Sequence, residues 1–336
     1  MRHFTDLGAL QPSAVEALLA SASELERHPR RDDLRGRVLG LLFFNPSLRT
    51  LSSFQAGMAQ LGGSSFVLAP GQGTWKLELR EGVTMDGEAA EHIREAIPVL
   101  GEYCDVLGVR AFPEGCSLVL DQAEPLMGAV VRHSSVPVVN LESAMNHPCQ
   151  ALGDWKTLDD LEVPRAGGRF VLSWAYHPKA LPLAVPSAVV RMAAMRGMDV
   201  TVLRPDGFGL PDPVMDSARA LAAASGGTVR ETDDREAALD GAHVLYAKSW
   251  QSPRHYGEAE AERGLRAGLR DWCVRESWFR PARPEAVFMH CLPVRRNVVV
   301  ADEILDGPRS RVVRQAGNRL HVQKAILLDL LGGSSR

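Results

Sequence analysis

Short apolar runs recur along this chain too far apart for hairpins, and helix-patterned stretches fill the gaps. "RVLGLLFF" (37–44) is apolar almost throughout, as a strand covered on both faces must be. "DVLGVRAF" and "VPVVNL" follow it, then "RFVLSWAY", "MDVTVLRP", "HVLYAKSW" and "VFMHCLP". Between them, "SAVEALLASASEL" places Val15, Leu18, Leu19 and Ala22 on one helical face, with Ser13 and Glu16 spaced as a capping box. A helix is expected from about Leu51 to Leu61, ending at Gly62-Gly63, and an apolar helical stretch near Leu118–Val131. "PSAVVRMAAMRG" and "SARALAAASGG" are helical, and the last helix, near Asn318–Leu331, lines up Val322, Ile326 and Leu330. Pro253 to Gly268 and Pro281 to Pro284 read as loops.

Strand–helix alternation of this kind implies parallel sheets with helices on both faces. The series runs twice, so the expected fold class is α/β, with two doubly wound domains. The expected division is 1–147 and 148–316, with a C-terminal helix over 317–336 returning to the first domain.

The totals exclude several function classes. Net charge is -3 with both signs mixed along the chain, which argues against a nucleic-acid binder. No apolar run approaches the roughly 18 residues of a membrane span, and "MRHFTDLGAL" lacks a signal peptide's apolar core. The five cysteines are Cys104, Cys116, Cys149, Cys273 and Cys291; they form no CxxC pair. A reduced, cytoplasmic protein is expected, with neither metal nor organic cofactor.

Donor residues gather where the strands stop. "FFNPSLRT" leads from a strand end into a helix and offers Ser47, Arg49 and Thr50. Helix N-termini attract anions, and a guanidinium matches phosphate in two-pronged geometry. The same letters also suit a Ser/Thr-capped helix with a surface arginine. His147 and Gln150 stand in "HPCQ" after "VPVVNLESAMN", Arg110 ends a strand in "VRAF", "HCLPVRRN" follows "EAVFM", and Arg319 opens "NRLHVQKA". A packed core has no need of this repetition; an anion site does.

Together these stretches resemble the transcarbamylase family over nearly the whole chain. The markers are "SLRT", where the family usually has S-T/M-R-T, then "HPCQ", "HCLP" and the late arginine. The resemblance implies transfer of the carbamoyl group of carbamoyl phosphate to an amine by a homotrimer with shared active sites. The cysteine of "HCLP" favours the ornithine side over the aspartate side. The D-x-x-x-S-M-G segment of plain ornithine enzymes is missing, and the region reads "HVLYAKSW". That departure, with "GQGTWKLELREGVTMDGEAAEHI" and "WAYHPKALPLAVP", resembles the branch acting on N-acylated ornithines.

Acetyl enzymes of that branch place a glutamate at the position of Ala90 and a lysine prone to carboxylation at that of Val299. Succinyl enzymes have proline and an apolar residue there. Two like charges about 4 Å apart cost on the order of 4 kcal/mol at a surface-like dielectric, so either anion would repel a succinyl carboxylate. N-succinylornithine is therefore the expected acceptor and N-acetylornithine the alternative; Ala90 matches neither type's usual residue. A binding protein without turnover, or an enzyme for another amine such as putrescine, would keep the same phosphate motif.

The resemblance also implies roles. Ser47, the Leu48 N–H, Arg49 and Thr50 hold the phosphate, and Trp75 closes over it from a neighbouring subunit. Arg110 and His147 donate to the carbonyl oxygen, and Arg319 adds positive charge. Gln150 and the carbonyls near Cys291 and Leu292 hold the carbamoyl NH2. Glu142 and Lys248 position the ornithine part, and Arg295, Arg296 and Lys248 are candidate partners for the extra carboxylate. His177 either lines that pocket or is a structural histidine at a strand end. Cys291 could be read as a nucleophile, but no base is identifiable beside it; the resemblance puts it near the attacking amine.

Overall fold

The computed structural model describes residues 2–332, so residues 333–336 of the helix expected over 317–336 lie outside the described residues. The chain folds as two compact units. Residues 2–113, 120–149 and 319–332 make the first; Glu114–Val119 and Gln150–Asn318 make the second.

The first unit runs α1 (Pro12–Arg27), β1 (Val38–Phe43), α2 (Leu48–Gln60) and β2 (Ser64–Leu68). A two-stranded ribbon follows, β3 (Leu77–Glu78) with β4 (Glu91–His92), then α3 (Ile93–Tyr103), β5 (Val106–Arg110), α4 (Leu118–Gln122, whose first two residues fall in the second unit), α5 (Pro125–His133) and β6 (Val138–Glu142). Its main sheet has the order β2-β1-β5-β6, with every pair parallel. The chain steps outward from β1 to β2, then returns to β5 on the other side of β1. The order therefore reverses between β1 and β5, whose carboxyl ends meet where Phe43 pairs with Arg110. Open α/β sheets bind ligands outside such a reversal.

Val15, Leu18, Leu19 and Ala22 are buried, as the helical spacing requires. The capping box does not form. α1 begins at Pro12, whose missing N–H needs no acceptor, so Ser13 lies inside the first turn. The single helix expected near 118–131 is two, because Glu124 turns the chain at φ 50 and Pro125 opens the next helix.

The second unit runs α6 (Pro148–Asp160), β7 (Arg169–Trp174), α7 (Ala184–Met195), β8 (Asp199–Leu203), α8 (Asp212–Ser225), β9 (Thr228–Thr232) and α9 (Arg235–Leu239). It continues through β10 (Val244–Lys248), α10 (Ala259–Ala267), β11 (Val287–Met289), α11 (Asp302–Leu305) and the start of α12 (Val312–Leu331). Its parallel sheet has the order β11-β10-β7-β8-β9 and reverses between β7 and β10, where Trp174 pairs with Lys248.

Helix α10 occupies the segment expected as a loop. Its buried side chains are the polar Glu262 and Arg266, so no apolar stripe marks it in the sequence. Arg266 Nη2 donates to Glu262 Oε1 at 2.5 Å and to the Trp250 carbonyl at 2.6 Å, which anchors the helix. Helix α12 starts at Val312, earlier than expected; its first turns expose Val313 and Gly317, so no apolar stripe marks them in the sequence. Arg319 therefore lies in the body of that helix rather than at its start.

From Arg319 onward α12 belongs to the first unit. Val322 and Ile326 are buried there and Leu330 is half-buried. Lys324 Nζ donates to the carbonyls of Leu25 and Pro29 at 3.0 and 3.1 Å and to Gln60 Oε1 at 2.9 Å. A Cβ on Gly57 of α2 would lie 3.3 Å from Lys324 Cγ, so glycine permits the close approach of α2 and α12. No helix among the described residues is long and apolar enough to cross a membrane.

Candidate active site

In the first unit, the turn after β1 reaches the sheet reversal. Ser47 is extended (φ -157, ψ 119) and caps α2, its Oγ accepting from the Thr50 N–H at 3.2 Å. The cap and the anion reading coexist: capping sets the first turn, where N–H groups have no acceptor within the helix. Leu48 spends nothing on the core, with 79% of its surface exposed, so its backbone is its contribution. Thr50 is fully buried, and its Oγ1 accepts from Arg319 Nη2 at 2.9 Å.

Arg110 ends β5 on the other side of the reversal. It is buried, donates through Nη1 to Glu142 Oε2, and stacks 4.5 Å over the Phe112 ring. His147, at the entry to α6, is buried with Nε2 3.5 Å from the same Glu142 oxygen. Burial first, then the charges of Arg319, Arg110 and Arg49, hold the His147 pKa well below its ordinary value. The imidazole is thus neutral near pH 7, a hydrogen-bond donor without a charge. Burial also lowers the Arg319 pKa, and Arg110 and Arg49 act on it as like charges.

Arg110 bonds Glu142 and Arg319 lies within reach of its charge, while Arg49 adds a third guanidinium that acts on His147 and Arg319. Arg110 Nε and His147 Nδ1 are buried without a hydrogen-bond partner among the described residues. Buried polar groups are nearly always bonded; the Arg110 Nε–H suits an anionic ligand, and His147 Nδ1 suits a donor if Nε2–H faces Glu142. The Cys149 thiol is pushed up to about 12 by burial, so it stays protonated.

The loop carrying His147 is braced by residues that the sequence reading missed. Glu124 Oε1 accepts from Ser143 Oγ at 2.8 Å and from the Met145 N–H at 2.7 Å, and the Ser143 N–H donates to the Asn146 carbonyl at 2.8 Å. Trp75 and Ala90 stand beside the β3–β4 ribbon. Trp75 is 60% exposed, with Nε1 donating to Glu91 Oε2 at 2.8 Å; Ala90 is exposed, and its N–H donates to the Lys76 carbonyl at 3.1 Å.

In the second unit, Gln150 is buried and its Nε2 donates to Asp154 Oδ1 at 2.7 Å. Cys291 is buried beyond β11, and Leu292 turns the chain at φ 57 ahead of a cis peptide to Pro293. His290 Nδ1 accepts from the Leu292 N–H at 2.8 Å.

At the second sheet reversal, Lys248 ends β10 and His177 follows β7. Burial, Arg295, Lys248 and Arg266 lower the His177 pKa, against the hydrogen bond with Lys179, which raises it. Arg295 and Lys248 thus lie close enough to His177 for their positive charges to act on it. Arg296 is exposed, and its guanidinium reaches Asp302 at 2.8 Å and Asp306 at 2.7 Å. Val299 is buried, with its N–H on the Arg295 carbonyl at 2.9 Å.

Family models for the aspartate/ornithine carbamoyltransferase carbamoyl-P binding domain and Asp/Orn binding domain match residues 2–160 and 184–330. The chain belongs to the aspartate/ornithine carbamoyltransferase family. It is a carbamoyltransferase of the N-acylornithine branch. It is 39% identical to N-acetylornithine carbamoyltransferase of Xanthomonas campestris, with 99% of each chain covered. It is 34% identical to N-succinylornithine carbamoyltransferase of Bacteroides thetaiotaomicron, again with 99% of each covered. An N-acetyl-L-ornithine transcarbamylase variant with glutamate replaced by alanine, crystallised with carbamyl phosphate and N-succinyl-L-norvaline, superposes with a TM-score of 0.96. That pair shares 39% identity over 98% of this chain and 100% of the other. The two-domain α/β architecture of this carbamoyltransferase, with parallel sheets and the last helix on the first domain, is the architecture expected from its sequence.

Proposed function

We propose that the enzyme transfers the carbamoyl group of carbamoyl phosphate to the δ-amine of N-succinyl-L-ornithine, giving N-succinyl-L-citrulline and phosphate in arginine biosynthesis. The observation that carries the donor half is the convergence of Arg49, Arg110 and Arg319 on a neutral His147 at the first sheet reversal. Carbamoyl phosphate is an anhydride with a dianionic leaving group. Ser47, the Leu48 N–H, Arg49 and Thr50 hold the phosphate, with Arg319 adding charge. Arg110 and His147 donate to the carbonyl oxygen, Gln150 accepts from the carbamoyl NH2, and the carbonyls near Cys291 and Leu292 share that task.

The neutral δ-amine attacks the carbonyl carbon, and the oxygen becomes an oxyanion facing those donors. Donors aimed at developing charge act mainly on the transition state. The C–N bond forms, the C–O bond to phosphate breaks, and phosphate leaves with the electron pair and accepts the amine's proton. Glu142, His177, Lys248 and Leu292 position the acylornithine.

Ala90 and Val299 support the succinyl group, since neither brings a negative charge toward the extra carboxylate. Arg295 and Lys248 are the cations for it. Crystallised acetylornithine transcarbamylase variants with one glutamate changed to alanine, proline, valine or serine carry N-succinyl-L-norvaline beside carbamyl phosphate. This chain has alanine where the resemblance puts a glutamate in acetyl enzymes. N-acetyl-L-ornithine is the second reading, favoured by the higher identity, 39% against 34%. The ratio of kcat/KM for the two acylated ornithines, measured with labelled carbamoyl phosphate, decides; a preference for acetylornithine would overturn the succinyl assignment. We further propose a cytoplasmic homotrimer in which Trp75 serves a neighbour's site.

A further inference from the structure

Asp154 is fully buried in the second unit, and two glutamine amides converge on one of its oxygens. Gln150 Nε2 and Gln315 Nε2 each donate to Asp154 Oδ1 at 2.7 Å. Gln315 is itself fully buried, and its Oε1 accepts from the His290 N–H at 3.0 Å. The three side chains thus link the glutamine of "HPCQ" to the first residue of "HCLP" through one carboxylate.

The chemistry fixes which way each amide faces. The two ends of a glutamine amide have the same shape but opposite hydrogen-bonding character, so a neighbour must choose between them. Asp154 Oδ1 accepts from both amides, so each glutamine turns its NH2 toward Asp154 and its oxygen to the opposite edge. For Gln315 that oxygen meets a backbone donor. Tyr246 belongs to the same buried group: burial and the neighbouring Asp154 charge push its phenol well above the ordinary value. The phenol therefore stays protonated.

We propose that Asp154 is a positioning residue: it holds Gln150 with its carbonyl oxygen presented to the NH2 of carbamoyl phosphate, and through Gln315 it fixes the His290–Leu292 turn. The inference rests on the reading of carbamoyl phosphate as the donor substrate. A carbamoyl NH2 offers two N–H donors and needs acceptors. A Gln150 amide turned over would oppose it with N–H groups. Acetyl phosphate has the same phosphate and carbonyl but a methyl in place of the NH2, so preference for carbamoyl over acetyl phosphate reports on the acceptors alone.

The test measures dissociation constants of both compounds by calorimetry on the full-length protein. The variants are Asp154→Leu, Asp154→Asn and Gln315→Leu. Wild type is expected to prefer carbamoyl phosphate. Asp154→Leu should lose about tenfold of that preference, with acetyl phosphate affinity within about threefold of wild type. Asp154→Asn keeps an oxygen able to accept from both amides and should retain most of the preference; Gln315→Leu should lose part of it. An unchanged preference in Asp154→Leu, whether or not both affinities fall together, would overturn the proposal. Should Asp154→Leu fail to fold, an unchanged preference in Gln315→Leu would overturn it instead. Wild type that binds neither compound would overturn the donor assignment, a failure visible before any variant is compared.

Discussion

Arg319 Nη2 donates to Thr50 Oγ1 at 2.9 Å across 269 positions of sequence, and both side chains are buried. The bond joins the first turn of α2 to the body of α12 within one unit. Arg319→Met should lower kcat/KM for carbamoyl phosphate by about two to three orders of magnitude, the usual loss for one donor at developing charge. Thr50→Val keeps the shape and should cost less, about tenfold, the worth of a hydrogen bond to a charged group. Steady-state kinetics on both variants, with circular dichroism as a check on folding, would show it; near-wild-type turnover by Arg319→Met would remove Arg319 from the site.

His147 predicts how stability responds to acid. Its pKa is lowered in the folded protein, so below its ordinary value of about 6.5 the unfolded chain takes up a proton that the folded chain does not. The unfolded state then binds more protons, and stability falls as pH drops from 7 through 6.5 toward 5.5. His3, His177 and His243 are lowered too and contribute in the same direction. His147→Asn should therefore flatten the slope without abolishing it. Urea denaturation at several pH values checks this, and parallel slopes for wild type and variant would contradict it.

Ala90→Glu should reduce use of N-succinylornithine more than that of N-acetylornithine, shifting the kcat/KM ratio by at least about tenfold, given the repulsion of two close like charges. Equal losses on both substrates would mean that residue 90 does not face the acyl group.

Cys291→Ala should remain active, with kcat reduced less than about a hundredfold, since the substrate's amine rather than the thiol attacks. Mass spectrometry of wild type incubated with carbamoyl phosphate should find no carbamoyl group on Cys291. A stoichiometric adduct that acylornithine discharges would establish the covalent route instead.

Trp75→Ala and Arg49→Ala subunits should each be inactive alone and recover part of the activity when mixed, because a shared site can then combine one intact Trp75 with one intact Arg49. No recovery after verified subunit exchange would confine Trp75 to its own chain's site.

Much of this fold was readable because its strands are buried on both faces and so stand out as unbroken apolar runs; β1, β5, β6 and β7 are of that kind. Helix α10 was not readable, because its buried positions are Glu262 and Arg266, and an ion pair leaves no apolar period. The start of α12 was missed for a similar reason, with Val313 in solvent and a glycine nearby. At the site, Arg49, Arg110, His147 and Arg319 were legible as donors at strand ends and in motifs. Asp154, Gln315 and Glu124 were not, since bonds such as that from Gln315 to Asp154, spanning 161 positions, have no periodicity to betray them. The commitment of Arg296 to Asp302 and Asp306 was equally invisible: residues 6 and 10 positions apart meet there only because the chain turns back on itself.

The gathering of Arg49, Arg110 and Arg319 has a thermodynamic consequence. Like charges held together in a poorly solvated place work against folding, so this protein tolerates an internal tension that a different choice of side chains would relieve. Substituting Arg319 by methionine should accordingly yield a molecule that melts at a higher temperature than its parent. Inorganic phosphate should raise the melting temperature of the parent and do little for the variant. Robustness and turnover are in that sense rivals for the same few ångströms.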